Sequence, residues 1–171
     1  EYHEVDHPVQ IAVRAAFEEM TDEISPGYGI DGCSEPNWAC SVAGLARGMA
    51  RCAADGADQI GKAASELRDA MMMYPELVAG ETRACTELMR AAPGVALKTG
   101  AEAVFIAIIP GLRAGIAVKI EDGATRASEA LIAALLIRLG VLEADHPAAL
   151  KRLGPIHNWD GLQTGQISAL L

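Results

Sequence analysis

The sequence predicts an α+β fold in which helices pack on one side of an antiparallel sheet. Two observations support this prediction. Hydrophobic residues make up 51% of the 171-residue chain but aromatic residues only 4%, which favours helices packed closely through small side chains. Residues 95–123 contain three short apolar runs rich in valine, isoleucine and alanine. Each run ends at a turn signal, as consecutive strands do; these signals are Lys98-Thr99-Gly100, Pro110-Gly111 and Asp122-Gly123.

The first 92 residues are predicted to be mostly helical. The first helix begins at Pro8, carries an apolar stripe and stops before Ser25. Residues 3–7 match the H-E-x-x-H pattern of zinc proteases, which functions only on a helix. Because Pro8 pushes His7 out of the helical region, we interpret these residues as the start of the first helix instead. Further helices are predicted over residues 40–54, 59–74 and 86–91, the last within the stretch 77–92 and ending at Pro93.

A compact segment over residues 28–37 separates the first two helices. It contains three Gly or Pro residues together with Asp31 and Cys33. This composition fits a backbone held tightly against another part of the molecule, and it also fits a plain loop between helices. Cys40 and Cys52 fall among apolar helix positions and are expected in the core.

Residues 93–171 are predicted to complete the same domain. After the three strands we predict a long helix over 124–139, capped by Gly140, and a short helix over 146–153. The tail is interpreted as a loop with one last short strand. Three strands make a narrow sheet, and its unpaired edges invite further strands from elsewhere. We therefore expect the chain to be part of a larger unit.

Charge and composition exclude several classes of partner. The net charge is −9 and the basic residues form no cluster, which argues against binding nucleic acid or an anionic membrane surface. No run of about 18 uncharged apolar residues is present, so no membrane span is predicted. The four cysteines show neither a C-x-x-C pair nor a disulfide-framework spacing, which favours reduced thiols in the cytoplasm.

Lys98 is the residue that the sequence singles out for chemistry. Its position at the end of a strand, beside Thr99 and Gly100, would aim an ammonium group at a substrate carboxylate or a serine oxygen. The alternative is a strand-end turn with a solvated lysine. Amide hydrolysis requires a nucleophile, a base that accepts its proton and donors that face the oxyanion. A lysine amine serves as that base when it is held in its neutral form.

Six stretches of the chain resemble one known family. In order and at about the family's spacing, they match the C-terminal part of the thermolabile, rhizobial-type L-asparaginases (the asparaginase II family), and the resemblance covers essentially all 171 residues. The stretches are HPVQ at 7–10, DGCSEP at 31–36, ACTELM at 84–89, LKTGAEAVF at 97–105, GIAVKIEDGATRA at 115–127 and HNWDG at 157–161.

The resemblance implies a serine β-lactamase-like fold and the hydrolysis of L-asparagine to L-aspartate and ammonia by serine–lysine pairs. Lys98 corresponds to the strand lysine that pairs with a serine. Cys33 corresponds to one ligand of a zinc ion. We expect four residues on the substrate side of the site: Asp31, Thr99, Gly100 and Glu102.

A second cysteine is also placed by the resemblance. Cys85 matches a family cysteine close to the site, and the short helix-to-strand connection at Pro93 keeps Cys85 and the following strand adjacent. We therefore expect it on the same side of the sheet as Lys98, and nearer to Lys98 and Cys33 than either remaining cysteine. The alternative is a small buried apolar residue on the inner face of its helix.

The chain departs from the family pattern in one large respect. No serine is followed three residues later by a lysine, and the family's N-terminal elements are absent. We expect an N-terminal part, or a second polypeptide, to supply the nucleophiles and the other zinc ligands, within a cytoplasmic homodimer. Two alternatives remain open: a non-catalytic interaction domain that kept the scaffold, and a glutaminase or penicillin-binding-type hydrolase.

Overall fold

A computed structural model describes all 171 residues as an α+β fold with seven α-helices and seven strands. The α+β class predicted from the sequence is confirmed. The helices are α1 (Pro8–Thr21), α2 (Val42–Ala53), α3 (Gln59–Met73), α4 (Pro75–Ala79), α5 (Ala84–Ala91), α6 (Thr125–Arg138) and α7 (Pro147–Leu150). The strands are β1 (Tyr28–Ile30), β2 (Pro36–Trp38), β3 (Ala96–Thr99), β4 (Val104–Ile109), β5 (Ala114–Lys119), β6 (Gly154–His157) and β7 (Gln163–Ile167).

The central sheet is formed by the three strands predicted between residues 95 and 123. They are consecutive and antiparallel, in the order β3-β4-β5, and Lys98 pairs with Ile106 while Thr99 pairs with Phe105. A short 3-10 turn over Ala101–Ala103 connects β3 to β4. The turn signals seen in the sequence therefore mark the ends of β3 and β4 correctly.

Helices cover both faces of this sheet, so the prediction of helices on one side is wrong. Leu97, Phe105 and Val118 pack with α5 and α6 in a core of 17 buried residues. Ala96 and Ile108 face the opposite way and pack against side chains of α2 and α3. The physical reason is the composition of β4: its VFIAII run is apolar at every position, so both faces of the strand must be buried.

The contact between α2 and β5 is unusually close and depends on a glycine. A Cβ atom at Gly115 would lie 2.2 Å from the backbone nitrogen of Ala50 and 2.4 Å from the carbonyl oxygen of Ala46. Backbone atoms of the helix therefore rest directly on the strand. This contact fixes α2, and with it the segment that leads into α2, relative to the sheet.

Two segments predicted as loop or single strand form hairpins. Residues 28–38 pair as β1 and β2, with Tyr28 opposite Trp38. The tail pairs as β6 and β7, and the side chain of Asn158 organises the tip of that hairpin by accepting from the backbone N–H groups of Asp160 and Leu162. Trp159 stands on this tip with its side chain completely exposed, at 106% of the reference area.

The helix boundaries differ from the predictions in several places. The helix predicted over 86–91 is α5, which begins two residues earlier at Ala84, and a short additional helix, α4, precedes it and ends at Gly80, which has a φ of 85°. The first helix ends at Thr21, where Asp22 adopts a left-handed conformation. Its start is as predicted: Pro8 is the first helical residue, and the ring of His7 caps the helix by accepting from the Val9 N–H. No helix is both long and apolar enough to cross a membrane.

Candidate functional site

Lys98 lies on the face of the sheet that α2 and α3 cover, at the end of β3. Its Nζ donates to the carbonyl oxygen of Thr99 at 2.5 Å, and the residue is exposed. The side chain borders an apolar cavity of about 720 Å³ between the sheet and the first three helices. The other lining residues include Met20, Met49, Cys52, Leu67, Met71 and Ile106, and none is a serine. The chain therefore supplies the amine at this place but no hydroxyl nucleophile.

Cys85 is fully buried at the start of α5 and contacts the strand next to Lys98. Its Sγ accepts a hydrogen bond from the backbone N–H of Thr99 at 3.2 Å. Burial raises the pKa of the Cys85 thiol, and the hydrogen bond from Thr99 and the charge of Lys98 offset only part of this effect. A thiol with a raised pKa is a weak nucleophile. Its position suits a structural role beside the strand end.

The prediction that Cys85 shares a side of the sheet with Lys98 is wrong. Cys85 packs with Leu97 in the core on the α5–α6 side, whereas the Lys98 side chain faces α2 and α3. Successive side chains of a strand point to opposite faces, so helix-to-strand adjacency placed Cys85 next to β3 without specifying the face. Cys52 is the cysteine that lines the same cavity as Lys98.

Asp31 and Cys33 occupy the turn of the β1–β2 hairpin. The carboxylate of Asp31 accepts from the backbone N–H of Gly32 at 2.7 Å, and its own N–H donates to the Glu35 carbonyl at 3.0 Å. Ser34 adopts a φ of 73°, which tightens the turn. Both Asp31 and Cys33 are exposed. The turn therefore presents a carboxylate and a thiol to the outside from a hydrogen-bonded backbone.

A second cavity brings Asp31 together with Gly100. It has a volume of about 570 Å³ and lies between the β1–β2 hairpin, the start of α2 and the connection from β3 to β4. Its wall also includes Asn37, Trp38, Cys40, Ser41, Ala101 and Lys119. Two of the predicted substrate-side residues thus share one cavity, while Lys98 borders the other one.

The remaining predicted substrate-side residues, Thr99 and Glu102, lie at the edges of this region. The Thr99 hydroxyl donates at 3.4 Å to the carbonyl of Gly100 and lies 3.5 Å from that of Val104. Glu102 has a φ of 52°, and its carboxylate lies over Gly123, where a Cβ would approach Oε2 to 2.8 Å. Both residues therefore shape the β3–β4 connection.

The residues around Cys33 do not form a zinc site by themselves. No group of three or more His, Cys, Asp or Glu side chains is placed to hold a metal ion anywhere in the chain. A structural zinc ion needs four ligands and a catalytic one needs three. Cys33 can supply one sulfur ligand, so this donor set fits zinc only with ligands from another polypeptide segment.

Two residues of the second cavity were missed by the sequence interpretation. Trp38 is buried, its ring lies 5.1 Å from that of Tyr28, and the Arg14 guanidinium sits 5.0 Å over it. Its indole N–H has no hydrogen-bond partner. Lys119 ends β5 and donates to the Glu102 carbonyl of the β3–β4 connection and to the carbonyl of Ile120. The signals were a Pro-Asn-Trp triplet after a turn and a lone lysine closing an apolar strand.

Comparison with known proteins gives one positive result. The family model described as L-asparaginase II matches residues 1–169, nearly the whole chain. No curated protein sequence matches significantly.

Proposed function

The chain belongs to the L-asparaginase II family, and from this membership we propose that it is part of an enzyme hydrolysing L-asparagine to L-aspartate and ammonia through a serine–lysine mechanism. The family indicates an amidohydrolase with asparagine as its substrate. The observation that carries the proposal is the extent of the match, which includes the DGC turn and the strand-end lysine.

In this mechanism Lys98 serves a serine nucleophile. Lys98 either accepts the hydroxyl proton while the serine oxygen attacks the side-chain amide carbon of asparagine, or stabilises the negative charge that develops beside that oxygen. The same proton is then delivered to the leaving nitrogen, which departs as ammonia. Water hydrolyses the resulting ester and releases aspartate. The end of β3 suits this role because a strand end holds the Lys98 backbone rigidly beside a turn.

No serine of the chain lines the cavity that Lys98 borders. The buried Ser25 and Ser128 donate their hydroxyl hydrogens to backbone carbonyls. We propose that another polypeptide segment supplies the serine. The β3 and β5 edges each pair with only one strand, which supports a place for further strands in a serine β-lactamase-like sheet.

The substrate would be recognised in the second cavity, which Asp31 and Gly100 line. Asp31 carries the negative charge that suits the α-ammonium group of asparagine, and Gly100 faces the same cavity. Thr99 and Glu102 would shape its border. Cys33 would supply one zinc ligand, completed by the same outside segment. We further propose a cytoplasmic homodimer.

The decisive experiment replaces Lys98 by Met in the complete, active enzyme and measures ammonia release from asparagine. We expect kcat to fall by about 10²–10⁴-fold with an unchanged circular dichroism spectrum, because methionine keeps the stem and removes the base. Lys62→Met, on the exposed face of α3, is the matched control and should retain full activity. Near wild-type turnover by the Lys98 variant would refute the mechanism.

One observation favours a second candidate, a non-catalytic interaction domain. The chain lacks any S-x-x-K run, so it carries no complete serine–lysine pair of that kind. Intact mass spectrometry of the purified material separates the two candidates by showing whether a second polypeptide is present. A comparison of ammonia release from asparagine and glutamine tests the glutaminase alternative in the same assay.

A further inference from the structure

The connection between β3 and β4 holds two successive non-glycine residues in a left-handed conformation. Glu102 has a φ of 52° and Ala103 a φ of 55°. Such angles are uncommon for residues with a side chain, and they persist when surrounding contacts determine the conformation. This connection directly follows Lys98 and Thr99. The contacts that hold this connection in place therefore influence the geometry of the candidate site.

The ammonium group of Lys119 makes the contacts that hold the connection from outside. Its Nζ donates to the carbonyl oxygen of Glu102 at 2.6 Å and to that of Ile120 at 2.5 Å. A long backbone contact from the Ile120 N–H to the Ala103 carbonyl, at 3.4 Å, runs beside them. Lys119 is the side chain that ties the left-handed turn to the end of β5.

The same lysine lines the cavity that holds Asp31 and Gly100. Gly100 is fixed by its N–H donating to the Val104 carbonyl at 2.7 Å, across the base of the turn. Gly100 is the N-cap residue of the short 3-10 turn that contains Glu102, so the Lys119 contact to Glu102 acts on the same connection that presents Gly100 to the cavity.

We infer that Lys119 is a positioning residue, which holds the β3–β4 connection in its left-handed form and so sets Thr99 and Gly100 at the substrate cavity. This inference rests on the proposed function only for its catalytic consequence. The structural part, that Lys119 holds the turn, is testable on the chain itself. The alternative is a solvated strand-end lysine without influence on the turn.

The first measurement is amide hydrogen–deuterium exchange over residues 100–104 in the 171-residue chain. Lys119→Met should raise the exchange rate of this segment by about 10-fold or more, because the hydrogen bond that joins the end of β5 to the Glu102 carbonyl is lost. Lys119→Arg keeps a donor for the two carbonyls and should stay within about 3-fold of wild type. Lys62→Met is the matched lysine control and should change nothing there. Unchanged exchange in the Lys119→Met chain overturns the inference.

The second measurement is the steady-state kinetics of asparagine hydrolysis by the complete enzyme. Lys119→Met should lower kcat/KM by about 10- to 100-fold, since a displaced binding group costs rate without loss of folding. Lys119→Arg should restore most of this loss. A second change, Ala103→Gly in the Lys119→Met background, should also restore part of it, because glycine adopts a positive φ without strain.

The two measurements test the structural role of Lys119 and its catalytic consequence separately. Faster exchange with unchanged kcat/KM keeps the structural role and overturns the catalytic one. A wild-type enzyme that releases no ammonia refutes the proposed function, while the exchange experiment still decides the role of Lys119. If Lys119→Met fails to fold, the Lys119→Arg variant carries the test. Exchange over residues 100–104 that is about 10-fold faster than wild type in this variant overturns the inference.

Discussion

Replacing Gly115 by Ala should destabilise the protein strongly, because the new methyl group has no space. The Cβ would lie 2.2 Å from the Ala50 nitrogen, 2.4 Å from the Ala46 oxygen and 2.5 Å from the Met49 carbonyl carbon. Ordinary carbon contacts lie at about 3.5–4.0 Å, so α2 must withdraw from β5 by roughly 1 Å. Backbone atoms of a helix cannot rotate aside as a side chain can.

The withdrawal sets the size of the effect. A gap of about 0.5–1 Å forfeits a quarter to a half of the dispersion energy of the atoms concerned, and overpacking costs about 1–3 kcal/mol. Because the three nearest atoms are all backbone atoms of α2, we expect about 3 kcal/mol, at the upper end of this range. For a chain of this length that corresponds to a fall in Tm of about 6–12 °C.

Urea denaturation followed by circular dichroism measures the loss directly. Gly111→Ala is the matched control, because a Cβ at Gly111 meets no atom within 4 Å and its φ is not positive. We expect the control to stay within about 1 kcal/mol of wild type. A loss below about 1 kcal/mol for Gly115→Ala, with the same m-value, would refute the close contact between α2 and β5.

Two further predictions concern Glu87 and Cys33. Burial alone would raise the pKa of Glu87, but hydrogen bonds from Lys151 and the buried Arg152 outweigh it and hold that pKa below its usual value. The stability it contributes is therefore present above the ordinary glutamate pKa and lost as the pH falls through the lowered value. At acidic pH, the unfolding free energy of the Glu87→Gln variant should change less steeply with pH than that of the wild-type protein. Parallel curves of unfolding free energy against pH for the two proteins would contradict this. Cys33→Ala should abolish stoichiometric zinc in the complete enzyme, and undiminished zinc by metal analysis would exclude Cys33 as a ligand.

The sequence predicted the order of most elements because their signals are local. Pro8 and His7 define the start of α1, and the turn residues after β3 and β4 define the ends of those strands. Which face a neighbour occupies is not local. The apolar run of β4 predicts burial on both faces, but only the packing shows that α2 and α3 cover the second one.

The site could be predicted in part. Lys98 and Asp31 were singled out by their motifs, but their spacing in sequence says nothing about the cavities that they border. The sequence does not predict the three-residue strands β1 and β2, because the turn residues between them dominate the composition of the segment. With the hairpin unrecognised, Trp38 could not be placed in the cavity wall. The side of the sheet on which Cys85 lies depends on the packing of α5 and was beyond any local signal.

The two tryptophans of the chain occupy opposite environments and give the protein a built-in optical reporter. Trp38 is only 8% exposed and forms part of the wall of the Asp31 cavity, whereas Trp159 stands in solvent at the tip of the β6–β7 hairpin. A dissolved quencher such as iodide quenches the fluorescence of the exposed Trp159 but not that of the buried Trp38. Fluorescence recorded with the quencher present therefore reports on the cavity alone, without any added label.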